Sequence, residues 1–181
     1  GIETPFHQHI RVTTRESLNS VMSAVGAIRL QIEAQLSMGL ANSPMYGARI
    51  DVVSGNFVTA KPYGIRDGVD FQLTGEVRSI DTDAIQRHLD NHNIVLLGPS
   101  GYSTTGEVFN LLTEEVATKA AISMKADKLI FLSQQTGLFN QQQELLREIS
   151  SQQVNQYIQA YQDTHPRLVI PLRAAQNASK N

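Results

Sequence analysis

Between Ile94 and Ala121 the chain passes from a short apolar run (Ile94–Leu97) through a Gly/Pro/Ser loop (Gly98–Gly101) into a helical pattern starting near Thr113. No other stretch constrains the fold as much. An apolar run closed by Gly-Pro reads as a buried strand. Strand, glycine loop and helix in that order build an α/β unit. Loop N–H groups and the helix N-terminus then face the strand's carboxyl end, where open α/β sheets hold their ligands. The block also carries Asn110 and, at the helix start, the carboxylates Glu114 and Glu115.

The other segments fit an alternation of strands and helices. Thr13-Thr-Arg-Glu16 has the spacing of a capping box and predicts a long helix after it. Leu18, Val21, Met22, Val25, Ile28, Ile32 and Leu36 form one apolar stripe on that helix, the expected main core helix. Gly39 and Ser43-Pro44 end it. Short strands are expected at Ile50–Val53, at Phe57–Ala60 and at Lys128–Leu132. Val69–Ile80 alternates apolar and polar residues around Thr74-Gly75, which reads as a β-hairpin. Asp81 or Thr82 can cap a short helix with Ile85 and Leu89 inward. Gln134–Gln143 reads as a polar loop, Leu145–Tyr161 as an amphipathic helix, and Leu168–Lys180 as a last helix with Pro171 in its first turn. The expected architecture is an α/β/α sandwich with a mostly parallel sheet and one antiparallel hairpin.

Composition narrows the function classes. At 181 residues the chain is one ordinary domain, read as 1–181 without a boundary. A net charge of −2 gives no electrostatic reason to expect nucleic acid. No apolar run approaches the ~20 residues that span a bilayer, so no membrane partner is expected. Arg11, Arg15 and Glu16 interrupt any signal-peptide core near the start. The absence of cysteine excludes disulfides and thiolate chemistry and fits a cytoplasmic protein. The chain opens on Gly1 and closes on what reads as a helix cut in mid-course, so the expectation is a fragment of a longer protein.

Several blocks together resemble the amino acid kinase fold, and among its members the kinase-like domain of bacterial N-acetylglutamate synthases. They are His9-Ile-Arg-Val-Thr13, Leu36-Ser-Met38, Val52-Val-Ser-Gly-Asn-Phe57, Asp67-Gly-Val-Asp70, Ile80-Asp-Thr-Asp-Ala-Ile85, Val95-Leu-Leu-Gly-Pro99, Thr105-Gly-Glu-Val-Phe-Asn110 and Glu114-Glu-Val-Ala-Thr118, in family order. The resemblance covers about residues 6 to 138 and returns faintly at Leu172-Arg-Ala-Ala. It implies a three-layer sandwich lacking its first strand and its C-terminal end. In kinases of this fold an opening strand bears a lysine and a glycine pair that hold the nucleotide phosphates; the present sequence starts after the matching point. The family aspartate of the following helix is matched by Glu114, a second family asparagine by Leu112, and a late lysine by Pro171 or its neighbourhood. Phosphoryl transfer rests on positioning and charge stabilisation, so the resemblance implies a pseudokinase. The Gln/Arg-x-x-Gly-x-Gly/Ala loop of acetyl-CoA-dependent N-acetyltransferases does not occur either.

The resemblance implies ligand contacts at Arg11, Asn110, Gly98 and Gly55, with no catalytic residue, no metal ligand and no cofactor in this chain; acetyl-CoA would be a substrate of the parent protein. Arg11 matches an arginine that grips an amino-acid carboxylate, for which a bidentate guanidinium is suited; it can equally be a structural anchor. Asn110 matches a substrate-binding asparagine, or caps a helix. Glu114 and Glu115 point about 100° apart on a helix, which suits complementing the helix dipole more than paired acid–base work. Gly98 and Gly101 either admit a ligand to the backbone or serve a turn. His88 and His92, four apart, could share a helix face and a metal, but no third ligand has suitable spacing.

Three functions follow. The first is a regulatory, oligomerising and catalytically inactive domain of an enzyme joining acetyl-CoA and L-glutamate, with arginine as effector. The others are an acetylglutamate-kinase-like phosphotransferase and a stand-alone amino-acid-binding protein. The expected partners are an amino acid or N-acetylamino acid and further copies of the chain.

Overall fold

The computed structural model describes residues 5–7, 10–37, 47, 50–132, 137–140, 142, 144–162 and 166–180. The chain starts with β1 (Phe6–His7), β2 (Ile10–Arg11) and α1 (Arg15–Ser37). Then come β3 (Val52–Val53), β4 (Val58–Pro62), β5 (Ile65–Arg66), β6 (Val69–Asp70), β7 (Gly75–Ile80) and α2 (Thr82–Asp90). β8 (Ile94–Val95), β9 (Ser100–Tyr102), β10 (Val108–Asn110) and α3 (Thr113–Ser123) form the middle block. α4 (Ser151–Tyr161) and α5 (Pro166–Ser179) complete the order.

The main sheet has the order β10-β9-β4-β7. β4 runs antiparallel to β7 and parallel to β9, and β9 is antiparallel to β10. β3 and β8 make a separate parallel pair. This is an α/β fold with parallel and antiparallel pairing, the antiparallel share exceeding a single hairpin. The core lies between the main sheet and α3: Val58, Ala60, Val77, Phe109, Leu111 and Val116 are all buried. A second cluster, Val154, Ile158 and Val169, joins α4 to α5. No described helix is long and apolar enough to cross a membrane.

Several expectations are corrected. α1 forms, but its stripe is not the core. Of its residues Leu18 is buried, whereas Met22 is 47% and Ile28 55% exposed. Periodicity specifies a face that can be buried; it does not supply the surface that covers it. The box at Thr13–Glu16 shifts by one residue, with the Thr14 hydroxyl accepting the Ser17 N–H at 3.2 Å. Val69–Ile80 is not a hairpin. The tight turn is Asp67-Gly68, with φ of 49° and 79°, and it joins β5 to β6, as the twist of a two-residue hairpin demands. β7 pairs with β4 instead.

Lys128–Leu132 forms no strand. It has no ladder partner among the described residues, and Ile130 is 73% and Leu132 95% exposed. Ile94 is 41% exposed, so only part of the Ile94 run is interior. Asp81 caps α2 by accepting the Ala84 N–H, and Ile85 points inward while Leu89 is 42% exposed. The helix expected from Leu145 begins at Ser151, where Ser150 and Gln153 make a reciprocal capping box. Gly39, Ser43-Pro44 and much of Gln134–Gln143 lie outside the described residues.

Candidate functional site

Arg11 ends β2 and Asn110 ends β10. Residues 72–74, between β6 and β7, stitch the two together. The Leu73 N–H donates to the Thr13 carbonyl at 2.9 Å, and the Asn110 N–H donates to the Leu73 carbonyl at 3.0 Å. Both predicted residues line one cleft of about 520 Å³, with Phe6, Tyr63, Pro99 and Glu115 among its walls. The sequence-based pairing of Arg11 with Asn110 therefore holds in space. Between the glycine loop and α3 the chain forms β9 and β10, two strands not read from the sequence, and Asn110 closes the second.

Arg11 places its guanidinium carbon 5.1 Å from the centre of the Phe6 ring. Among the described residues the guanidinium has no acidic partner, so it remains available to an anion. Asn110 donates from Nδ2 to the Thr13 hydroxyl at 3.0 Å. Thr13 is fully buried, and its N–H donates to the Thr74 hydroxyl at 3.0 Å. These two threonines were not singled out from the sequence. Thr13 read as a helix cap and Thr74 as a turn residue; nothing local marks a hydroxyl whose partner is 61 residues away.

Glu115 projects from α3 to the sheet, where it accepts the Val77 N–H at 3.0 Å. Burial raises its pKa above the ordinary 4.5 and the nearby Glu76 adds to this; the Val77 hydrogen bond, Lys119 and Lys61 pull it down. Its role in holding α3 to β7 exceeds the dipole complementation expected for an acidic first turn. Lys61 is itself paired with Glu76 at 2.8 Å.

Gly55 and Gly98 do not join Arg11 and Asn110. They line a neighbouring cleft of about 430 Å³ with Leu18, Ile32 and Ser54. Val21, Val25, Ile28 and Pro99 border both clefts. Neither Gly98 nor Gly101 needs a left-handed turn. A side chain at Gly98 would stand 3.3 Å from Val25, and one at Gly101 would stand 2.8 Å from both Ala60 and Leu111. Close packing against Ala60 and Leu111 is why Gly101 is glycine.

A larger cleft of about 700 Å³ lies between α3 and α5, with Glu114, Glu115, Lys119 and Arg173 on its walls. Both glutamates thus reach one space despite their divergent directions. His88 packs edge-on against Phe57, and His92 follows α2 at φ 61°, so the two histidines do not share a helix face. No group of three or more His, Cys, Asp or Glu that could hold a metal occurs among the described residues.

The family model described as "Amino acid kinase family" matches residues 1–179. An amino-acid acetyltransferase from Pseudomonas syringae pv. syringae is 52% identical over 159 residues, covering 88% of this chain and 37% of the relative. One from Azotobacter vinelandii is 54% identical over the same length and shares. The chain therefore spans little more than a third of these relatives. Among solved structures, N-acetylglutamate synthase from Neisseria gonorrhoeae complexed with coenzyme A and N-acetyl-glutamate superposes with a TM-score of 0.86 at 30% identity, over 98% of this chain and 39% of that one. The same enzyme complexed with coenzyme A and L-arginine gives 0.84 at 32% identity, over 97% and 41%.

Proposed function

Because the chain belongs to the amino acid kinase family, we propose that it is the regulatory and oligomerising kinase-like part of an N-acetylglutamate synthase, inactive in phosphoryl transfer, whose Arg11–Asn110 cleft is an amino-acid site. The observation that carries this reading is the pairing of a guanidinium and an amide in one cleft, with no lysine among its described lining residues. A carboxylate matches the first group and a peptide-like N–H or C=O the second. Phosphoryl transfer needs cations on the moving charge. Lys61, near the cleft, is committed to Glu76, and Pro171 stands where the resemblance puts a late lysine.

Acetyl transfer would belong to the part of the relatives that this chain does not span. The half-exposed stripe residues Met22 and Ile28 of α1 support an assembly role, because apolar surface left uncovered on a helix can be buried by a second copy.

Titration calorimetry with N-acetyl-L-glutamate, L-glutamate and L-arginine tests the site. At least one should give saturable heat, while millimolar ATP–Mg²⁺ should give none and acetyl-CoA plus glutamate should release no CoA above a blank. Micromolar ATP binding would restore the kinase reading. No heat from any of the three amino acids would remove the site. Sedimentation as a monomer at every concentration would remove the assembly role.

A further inference from the structure

We propose that His7 and Asp67 form a proton-operated latch. It fastens the β1–β2 ribbon, and with it the Phe6 and Arg11 walls of the cleft, to the turn between β5 and β6. The latch is built from this chain's own side chains and stands whatever fills the cleft.

Both ribbons are small. β1–β2 pairs Phe6 with Arg11 and His7 with Ile10; β5–β6 pairs Ile65 with Asp70 and Arg66 with Val69. A two-stranded ribbon of that size is marginal in water and needs a contact from outside itself. The two meet around Phe71, which is 1% exposed. Its ring lies edge-on to His7 at 6.1 Å and to Tyr63 at 4.7 Å between centroids. Phe6, Ile10 and Arg11 of the first ribbon and Tyr63, just before the second, all line the cleft. A fastening across this seam therefore sets how firmly that wall is held.

His7 Nε2 lies 3.6 Å from Asp67 Oδ2. The nitrogen is buried and has no hydrogen-bond partner among the described residues, although the His7 side chain as a whole is 35% exposed. A buried polar atom without a partner costs free energy. Protonation removes the fault. An imidazolium carries a proton on each nitrogen, so Nε2–H then faces the carboxylate, and the 64%-exposed Asp67 side chain has room to swing onto it. A neutral ring meets Asp67 either with a bare lone pair, acceptor against acceptor, or with an uncharged donor whose pull is weaker. The fastening is thus strongest while the proton is bound and is released as the pH rises. Histidine is the side chain whose charge changes between about pH 5 and 8.

The neighbouring charges are otherwise engaged. The Arg11 and Arg66 guanidinium carbons each stand 5.1 Å from a ring centre, over Phe6 and Tyr63 respectively. Asp70 accepts the Gln72 N–H at 2.9 Å. His9 lies outside the described residues.

The Val12 N–H donates to the Pro5 carbonyl at 2.9 Å and closes the β1–β2 ribbon, so its hydrogen exchange reads the latch. The 181-residue chain is followed by ¹⁵N-edited spectra at about pH 5.5 and about pH 8, each rate divided by that of an unstructured amide at the same pH. Val12 should be about twofold to fivefold better protected at the lower pH, the range of an exposed ion pair. Asp67→Asn should abolish this ratio. Asn-Gly is a favoured dipeptide of a type I′ turn, so the variant keeps the turn and loses the charge. The Leu111 N–H, which donates to the Pro99 carbonyl at 2.9 Å, reports the main sheet and should show the same pH response in parent and variant. His7→Phe, which keeps an aromatic ring against Phe71 and has no proton to bind, should also lose the Val12 ratio. A Val12 protection independent of pH in the parent chain overturns the latch. So does a ratio that survives in Asp67→Asn or in His7→Phe, since the titrating pair would then lie elsewhere.

Discussion

Phe109→Ala and Ile28→Ala, made separately, measure where this chain keeps its core. Phe109 sits on β10, 3% exposed, among Val58, Val77, Leu111 and Val116. Burying such a ring contributes about 1.5–3 kcal/mol by transfer from water alone. Truncation also leaves a cavity. Two of its walls, β4 and β7, are fixed in a hydrogen-bonded ladder, so they cannot close on the space, and the loss rises to about 3–5 kcal/mol. That is a fifth or more of the ~5–15 kcal/mol that holds a typical domain folded. Ile28 belongs to the apolar stripe that dominates the sequence pattern, yet it is 55% exposed. Its truncation should cost about 0.5 kcal/mol or less. Guanidinium unfolding followed by circular dichroism reads both, as a shift of midpoint at unchanged slope. The series is run at two protein concentrations, so that burial of the stripe by self-association shows as a concentration-dependent midpoint. A cost for Phe109→Ala below about 1 kcal/mol, or an equal cost for Ile28→Ala at both concentrations, would refute the placement of the core.

Gly101→Ala should destabilise by about 1–3 kcal/mol through overpacking, because the new Cβ would stand 2.8 Å from Ala60 and from Leu111; an unchanged midpoint would contradict that. Glu115 has a folded pKa raised above 4.5 by burial, so the folded chain holds its proton more tightly than the unfolded chain. Stability should therefore fall as pH rises through and beyond that value, and Glu115→Gln should flatten this part of the profile in a pH series of melting curves. Arg11→Ala should weaken carboxylate-ligand binding about tenfold or more in calorimetry, and should leave the unfolding midpoint nearly unchanged because its guanidinium has no acidic partner among the described residues.

Local signals translated well into local structure. Asp81 capped the helix it was expected to cap, and α3 began at Thr113. Asp67-Gly68 carries the dipeptide of a type I′ turn and closes the β5–β6 hairpin, a shorter signal than the alternation around Thr74-Gly75. Alternation marks a strand but not its partner, and β7 found β4. The two candidate ligand residues, Arg11 and Asn110, were legible through motif resemblance, and they meet in one cleft. Gly55 and Gly98 came from the same motifs yet border a different space, since a motif fixes order along a chain and not the distance across it. Thr13, Thr74 and the sheet-directed reach of Glu115 had no local signature. Each gains its meaning only from a partner brought near by the whole fold.

The hydroxyl–amide chain spans sequence separations of 61 and 97 residues. Loops of that length must close before any of its links can form, and such closure comes late and costs entropy that local helix formation does not. A growing polypeptide emerging from the ribosome would make α1 and the Thr14 cap long before Asn110 had been synthesised. Assembly of this cleft is consequently a checkpoint on completed folding. A chain that is compact but misassembled would keep its helical signal and lack the cleft.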